Sequence, residues 1–392
     1  SPPMRCPCSA AAAAAASEPP PAFDRSAAAW RQLGARFDLC VSGEVFAALG
    51  AAGLLSAAVP QLRVMARMAP GQKQAALAAL RSAGRAALMC GDGTNDVGAL
   101  KAADVGVALV SASLVGPPPP PPDGAMLAAR TESLEESLRE MEGPMLKLGD
   151  ASIAAAFTAR SASVTSCVSV ILQGRCTLVT TIQMFQILAL NCLVSAYGLS
   201  VLHLRGVRMG DTQATATGLT TALLFLFVSG SRPLHRLSPR RPPASVLSPY
   251  VVFSVLAQFA VHLGLLVQAT RLGSEHEGST PPEPDADFEP SVPNTVVWLM
   301  SAAMMVSTFA VNYKGKPYME GLSANKGLLG MLGGSALAIA GLTSGNLSGL
   351  SEYLELVPLP TEALRSDLMG LMAADFCLCW ILDKLLTKAF AY

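Results

Sequence analysis

The residues best suited to chemistry lie in one short segment, Gly91-Asp92-Gly93-Thr94-Asn95-Asp96. It places two carboxylates and a carboxamide within five positions, beside glycines that leave backbone N–H groups accessible. Carboxylate and amide oxygens are ligands for Mg2+, and accessible N–H groups bind phosphate. A bare Gly-Asp-Gly is more often only a turn. The segment alone therefore allows either a magnesium and phosphate site or an ordinary acidic turn.

The flanking residues predict the elements that would position this segment. The apolar run 86–90 predicts a strand buried on both faces, and the run 105–110 predicts another. Asn95 or Thr94 is predicted to cap a short helix between them. In open α/β sheets, chemistry collects in the loops at the carboxyl ends of strands, which is where both carboxylates would lie.

A cation is predicted at the same edge of the sheet. Residues 62–66 predict a short strand, and Pro70 suits the first turn of a helix that ends near Gly84. Lys73 would then lie in the first turn of this helix. If strand 62–66 neighbours strand 86–90, the ammonium group meets both carboxylates. On its own, a lysine on an alanine-rich helix is normally a solvated charge.

The overall composition indicates a membrane protein. Of the 392 residues, 14% are charged and 51% are hydrophobic, and the mean hydropathy is +0.42. The 28 basic and 28 acidic residues cancel, so we expect no nucleic-acid partner. The lipid bilayer is the partner that this composition implies.

The second half of the chain predicts six transmembrane helices. Five stretches of about 20 residues or more contain no Asp, Glu, Lys or Arg, which is long enough to cross a bilayer. The sixth carries Asp375 within residues 368–382. The predicted spans are about 178–204, 213–231, 249–270, 293–312, 327–346 and 367–386.

The basic residues of the loops predict the orientation. Four lie on one side, namely Arg205, Arg208, Arg271 and Arg365. Nine lie on the side shared with residues 91–96, which we call the phosphate segment: Arg232, Arg236, Arg240, Arg241, Lys314, Lys316, Lys326, Lys384 and Lys388. The positive-inside rule therefore predicts that the phosphate segment and the carboxyl terminus are cytosolic.

The string GDGTND, followed by VGALK and ADVGVAL, resembles the hinge motif of P-type ATPases. The order strand, ARxxPxQK, helix, strand, GDGTND also resembles that family. The resemblance implies that Lys73 contacts a phosphorylated aspartate and that Asp92 binds Mg2+. It implies that Gly93, Asn95 and Asp96 hold the phosphate, the metal or its waters, with Asp96 a second metal ligand. ATP and Mg2+ are the implied cofactors.

Several membrane segments are similar to type V, subfamily A, P-type ATPases: 147–155, 174–185, 187–191, 309–315 and 374–377. This class implies an endoplasmic-reticulum membrane protein that uses ATP to extract transmembrane helices, such as misinserted tail anchors. The Ala/Pro-rich composition of residues 1–29 predicts a disordered segment. The resemblance implies that residues 30–112 are the carboxyl part of a cytosolic α/β, Rossmann-like (HAD-type) phosphorylation domain. A Pro-rich, charged insert, 113–146, then precedes an all-α, six-span membrane domain, 147–392.

The polar residues of the first two spans bear on the substrate. A cation pump commonly has carboxylate ligands in the early spans of this half, and here the first two have none. Their amides fit a polar lining for a helix-like substrate, or they only bond neighbouring helices, and the sequence leaves these alternatives equal. The candidate lining residues are Gln183, Gln186 and Asn191.

Three polar residues in the later spans have other predicted roles. Asp375 is an intramembrane carboxylate, for which a functional role and a structural pairing are both open. Gln258 and His262 lie one turn apart on one helix face. We expect these two to bond neighbouring helices and not to ligate a metal.

The sequence contains no DKTGT motif, which carries the phosphorylated aspartate in P-type ATPases. Its one Asp-Lys pair, Asp383-Lys384, lies at the end of the last predicted span. We therefore expect that this chain alone is inactive and forms no phosphoenzyme, and that it is part of a longer protein, since it begins with Ser1. The alternatives are a cation-transporting P-type ATPase and a non-catalytic, truncated membrane protein.

Overall fold

The computed structural model describes residues 26–109, 154–159, 163–204, 206–276 and 288–390. The chain divides into two compact units, Ser1–Cys167 and Val168–Tyr392. The predicted insert 113–146 and most of the predicted disordered segment lie outside the described residues. Residues 27–29 of that segment begin a helix, because the Ser26 Oγ accepts a hydrogen bond from the Ala29 N–H at 3.2 Å.

The first unit alternates short helices with parallel strands. In chain order these are α1 (Ala27–Arg36), β1 (Leu39–Ser42), α2 (Gly43–Ala51), α3 (Leu55–Ala58), β2 (Leu62–Ala66), α4 (Pro70–Ser82), β3 (Leu88–Gly91), α5 (Val97–Ala102), β4 (Val105–Leu109) and β5 (Phe157–Ala159). Two 3-10 turns, Val59–Gln61 and Thr94–Asp96, precede β2 and α5. Strand β1 pairs with β2, β3 pairs with β4, and β4 pairs with β5, all in parallel.

The local predictions for this unit are close to the observed elements. Strand β2 and the start of α4 at Pro70 are confirmed, and Gly84 follows α4 in the left-handed conformation (φ 73°) that ends many helices. The predicted side-chain cap by Asn95 or Thr94 is wrong. The chain instead tightens into a 3-10 turn, in which the Asp96 N–H donates to the Gly93 carbonyl at 3.0 Å.

The strand pairing differs from the arrangement considered from the sequence, in which β2 and β3 are neighbours. Strands β2 and β3 belong to separate sheets, with orders β1-β2 and β3-β4-β5. Helix α4 bridges them through its apolar side chains. Ala76 and Ala79 pack into a cluster with Phe46 and Val59, while Leu77 packs with Ala87 and Ala99. Both sheets therefore share α4 as a common support.

The second unit is helical. Its elements are α6 (Thr165–Leu204), which begins just before the unit boundary, α7 (Asp211–Ser229), α8 (Pro249–Ser274), α9 (Val292–Asn312), α10 (Lys326–Ser344), α11 (Ser348–Tyr353) and α12 (Glu362–Ala389). Within the described residues, the five helices α6 to α10 are long and apolar enough to cross a membrane. They coincide with five of the predicted spans, although α6 begins 13 residues before the span predicted at 178.

The sixth predicted span, 367–386, falls within α12, which is long enough to cross a membrane but is not apolar enough by the same measure. The reason is its charge: Asp375, Asp383 and Lys384 interrupt the apolar sequence. Both aspartates are nonetheless buried, at 1% exposure each. A sixth crossing therefore stays a prediction.

Helix α9 lies at the centre of the helical unit. In its most apolar window 78% of the residues are buried, against 17–33% in the other four apolar helices. Its residues join two separate apolar clusters, one containing Met304 and the other containing Phe309, and neither of these side chains is exposed. Its neighbours in the bundle include α8, α10 and α12.

Candidate functional site

The phosphate segment and the predicted lysine meet in the first unit. The Lys73 Nζ lies 2.7 Å from the Asp96 Oδ1. Lys73 is held in the first turn of α4 because Gln72 fixes the start of that helix. The Gln72 Oε1 accepts from the Ala69 N–H at 2.9 Å, and its Nε2 donates to the Gly43 carbonyl at 2.8 Å. The predicted approach of Lys73 to the acidic loop is thus realised through Asp96.

Gly91 allows this arrangement because it ends β3 directly beneath Asp96. A Cβ atom at Gly91 would lie 2.6 Å from the Asp96 Cβ and 2.7 Å from its Oδ2. Asp96 is 7% exposed, whereas the side chains of Asp92 and Asn95 are exposed. Within the described part of the chain, neither of these two side chains makes a hydrogen bond or ion pair.

The exposed and buried groups suit different tasks. Asp92 presents an unengaged carboxylate at the carboxyl end of a parallel strand, and oxygen ligands of this kind suit Mg2+. Asp96 already shares one oxygen with Lys73, so it orients the ammonium group. These are groups that could hold a magnesium ion, through the Asp92 carboxylate, and a phosphoryl group, through the Lys73 ammonium group.

Cys90, next to this loop, is predicted to react slowly with alkylating agents. Burial raises the pKa of its thiol to about 11, and the carboxylates of Asp92 and Asp96 act in the same direction. Below this pKa the thiolate fraction increases tenfold per pH unit. We expect the rate of iodoacetamide labelling to rise about tenfold per unit from pH 7 to pH 10, as measured by mass spectrometry. A plateau below pH 9 would contradict the prediction, and the exposed Cys40 provides the comparison within the same unit.

A second polar cluster lies inside the helical unit and centres on Asn312. The Asn312 Oδ1 accepts from the Gln186 Nε2 at 2.8 Å and from the Gln258 Nε2 at 3.1 Å. Its Nδ2 donates to the Gln258 Oε1 and to the Thr308 carbonyl, both at 2.9 Å. Both glutamines also donate to the Ser254 Oγ at 2.8 Å. These bonds join α6, α8 and α9.

His262 extends the cluster toward α12. Its Nδ1 lies 2.7 Å from the Asp375 Oδ1, and its Nε2 lies 3.3 Å from the Thr308 Oγ1. This distance is that of a hydrogen bond, in which either the imidazole N–H donates to a carboxylate or the carboxyl O–H donates to the ring nitrogen. The Cys379 Sγ lies 3.8 Å from the same Nε2. Sequence reasoning singled out His262 and Asp375 separately but did not pair them, although both are ionisable residues of apolar helices.

The predicted lining residues fall into two groups. The Gln183 Nε2 donates to the Lys314 carbonyl at 2.9 Å, so Gln183 and Gln186 both bond neighbouring elements. Asn191 instead lines a cavity of about 280 Å³ bounded by α6, α7 and α9. Its Nδ2 is buried and has no hydrogen-bond partner in the described part of the chain. Thr217 and Thr221 face the same cavity.

One buried ion pair was not anticipated from the sequence. Asp383 pairs with Lys314, and it accepts a hydrogen bond from the Tyr250 hydroxyl at 2.9 Å. The Lys314 Nζ also lies 5.8 Å from the centre of the Tyr250 ring. The pair joins the end of α9 to α12. Its signal in the sequence was the Asp383-Lys384 pair at the end of the last predicted span.

Comparison with known proteins reveals relatives along nearly the whole chain, although no family model matches. The probable manganese-transporting ATPase PDR2 of Arabidopsis thaliana is 40% identical over 90% of this chain and 34% of its own length. The endoplasmic reticulum transmembrane helix translocase of Schizosaccharomyces pombe is 36% identical over 91% of this chain and 36% of its own. The protein of the same name from Saccharomyces cerevisiae is 35% identical over 88% of this chain and 35% of its own length.

The chain spans about a third of the length of these curated relatives. More distant relatives include the mouse polyamine-transporting ATPase 13A2, which is 30% identical over 89% of this chain. The similarity covers both the Lys73–Asp96 site and the helical unit. Over about 90% of its length the chain is therefore similar to about one third of the length of the P-type ATPases of type V, subfamily A.

Proposed function

We propose that this chain is the carboxyl part of an ATP-driven translocase that dislocates transmembrane helices from the endoplasmic reticulum membrane. The observation that carries the proposal is its similarity to two yeast proteins named as such translocases, over about 90% of the chain. The charges of the loops support a cytosolic phosphate site and carboxyl terminus, as the positive-inside rule predicts.

The geometry of the first unit supports roles for its residues in phosphoryl transfer. In this reaction negative charge spreads over the equatorial oxygens, and a fixed cation stabilises it. Lys73, held by Asp96, would neutralise a phosphoryl oxygen. Asp92 would hold Mg2+, which supplies further positive charge when bound. Asn95, Asp96 and the backbone of Gly93 would orient the phosphate or the waters of the metal.

The open edges of the two sheets support a missing strand. Within the described residues, β2 and β3 each pair on one side only, while α4 packs against both sheets. A parallel strand between them would complete a single HAD-type sheet and end beside Lys73. We infer that this strand carries the DKTGT aspartate and comes from a part of the protein outside this chain.

This assignment predicts that the chain alone forms no aspartyl phosphate. The test is to incubate the purified chain with radiolabelled ATP and Mg2+, quench with acid, and measure protein-bound phosphate that hydroxylamine releases. The complete ATPase serves as the positive control. Hydroxylamine-sensitive label on the chain alone would overturn the inferred strand.

Cation transport is the second candidate, because the Arabidopsis relative is named a probable manganese-transporting ATPase. The polar residues buried at the junction of α6, α8 and α9 are mainly amides and hydroxyls, which bond one another. Such groups are weaker ligands for a hard divalent cation than carboxylates. The nearest carboxylate, Asp375, lies on α12 and is paired with His262, and α6 itself contains no carboxylate. The composition of α6 therefore favours the helix translocase.

The two candidates differ in what stimulates ATP hydrolysis. The complete ATPase is reconstituted in liposomes, and its hydrolysis rate is measured with a tail-anchor peptide or with Mn2+ added at constant Mg2+. We expect the peptide to raise the rate several-fold and Mn2+ to leave it unchanged. A peptide whose apolar segment is interrupted by lysines is the control. Stimulation by Mn2+ alone would favour the cation transporter.

A further inference from the structure

Three buried side chains in the helical unit bring together the donor atoms of a metal site. They are His262 on α8 and Asp375 and Cys379 on α12, and one donor atom from each lies within 4.8 Å of the other two. Asp375 and Cys379 are four residues apart, so they share one face of α12. The exposure of each of the three residues is 1% or less. This cluster does not belong to the phosphate site.

One carboxylate oxygen and the thiol of the cluster have no close hydrogen-bond partner among the described residues. The Asp375 Oδ2 is buried and has no partner among the described residues. The Cys379 sulfur lies at 3.8 and 4.0 Å from the two ring nitrogens of His262, which are long contacts. A buried carboxylate oxygen without a partner is costly in an apolar medium. A ligand that engages it would remove this cost.

The donor set selects the class of cation. Imidazole nitrogen, thiolate sulfur and carboxylate oxygen are the usual ligands of Zn2+, whereas Mg2+ and Ca2+ take oxygen ligands only. A thiolate and a carboxylate also balance a charge of +2, and the imidazole stays neutral. The occupied site would therefore carry no net charge, which is the least costly state for an ion inside a membrane protein.

The neighbouring residues are arranged as a zinc site requires. If Nδ1 binds the metal, the imidazole proton lies on Nε2, where it can be donated to the Thr308 Oγ1 at 3.3 Å. This outer hydrogen bond fixes the tautomer and orientation of the ring. The Cys379 thiol loses its proton to solvent when the sulfur binds. Water would complete the fourth position of a tetrahedral ion.

Hydrogen-bonded polar groups of α6 and α9 lie beside the cluster. The Gln186 Nε2 donates to the Asn312 Oδ1, the Asn312 Nδ2 donates to the Thr308 carbonyl, and the Thr308 Oγ1 lies 3.3 Å from the His262 Nε2. The cluster is therefore continuous with the polar side chains that join α6, α8 and α9.

We propose that His262, Asp375 and Cys379 form a buried binding site for one divalent cation of the zinc class. The bound ion ties α8 to α12 across the helical unit. The proposal rests on the geometry of these three residues and is independent of the proposed translocase activity. It goes beyond the expectation that His262 bonds neighbouring helices, which its contacts with Asp375 and Thr308 confirm.

The test uses the full chain purified in detergent and stripped with a chelator. Zn2+ is titrated against a fluorescent zinc indicator, and Co2+ is added as a spectroscopic probe. We expect one high-affinity Zn2+ per chain that depends on the cluster, and a thiolate-to-cobalt charge-transfer absorption. Cys379→Ser should weaken this Zn2+ binding by about 100-fold or more and abolish the absorption.

Cys377 provides a matched control, because it lies on the same helix but is exposed. Cys377→Ser should leave both signals unchanged. A variant whose only cysteine is Cys379 should keep the charge-transfer absorption, which also guards against misfolding of Cys379→Ser. Absence of the absorption from the unmodified chain, or Zn2+ binding that is insensitive to Cys379→Ser, would overturn the proposal.

Discussion

Replacement of Lys73 with alanine in the complete ATPase is expected to lower the rate of ATP hydrolysis by about 100-fold or more. The size follows from removal of a fixed cation at the point where negative charge develops, which costs several kcal/mol of transition-state stabilisation in sites of this kind. The same change also leaves Asp96, which is 7% exposed, without its ion-pair partner. The hydrolysis rate at saturating ATP and Mg2+ is the measurement.

Lys101 offers the matched control for this experiment. It is an exposed lysine on α5, a few residues beyond the acidic loop. Lys101→Ala removes the same charge without touching the Lys73–Asp96 pair, and we expect less than a twofold change. If Lys73→Ala retained more than a tenth of the unmodified rate, the role assigned to its ammonium group would be wrong.

Replacement of Asn312 with leucine is expected to destabilise the helical unit by about 2 kcal/mol. Leucine is similar in size to asparagine but makes none of the four hydrogen bonds of the amide. Hydrogen bonds between membrane helices contribute about 0.6 kcal/mol each on average. The loss also leaves the Gln258 Oε1 without its Asn312 donor. Thermal or denaturant unfolding of the purified chain in detergent measures the difference.

Asn191→Leu is the corresponding control. The Asn191 Nδ2 has no hydrogen-bond partner within the described residues, and its side chain lines a cavity. Leucine therefore breaks no bond of that group there, and we expect a change in unfolding free energy of less than about 0.5 kcal/mol. Equal destabilisation by the two substitutions would show that the bonds of Asn312 are not the cause.

Local signals in the sequence were sufficient to predict much of the α/β unit. Pro70 correctly marked the start of α4, and Gly84 marked its end, because each residue acts through its own backbone conformation. Strand pairing depends on residues far apart in the chain, and no local pattern distinguished β1 from β3 as the partner of β2. The approach of Lys73 to Asp96 was predicted, but its dependence on Gly91 is visible only in three dimensions.

The helical unit shows the same contrast between local signals, which the sequence reveals, and contacts between distant residues, which it does not. Uninterrupted apolar stretches predicted five helices because burial in a bilayer depends on composition along one segment. The sixth predicted helix exists as α12, but Asp375 and Asp383 make it less apolar than the other five. Their partners, His262 and Lys314, lie on other parts of the chain. Ion pairs of this kind cannot be inferred from one segment alone.

The central position of α9 has a mechanical consequence. Asn312 and Thr308 contact polar side chains on α6 and α8 at hydrogen-bond distances of 2.8 to 3.3 Å. Sliding α9 along its axis by one residue, about 1.5 Å, would carry these donors and acceptors out of reach together. Apolar attraction depends only weakly on direction, whereas these bonds form at one axial offset. The cohesion of the helical unit thus comes from its apolar side chains, whereas a few buried amides and hydroxyls set its axial alignment.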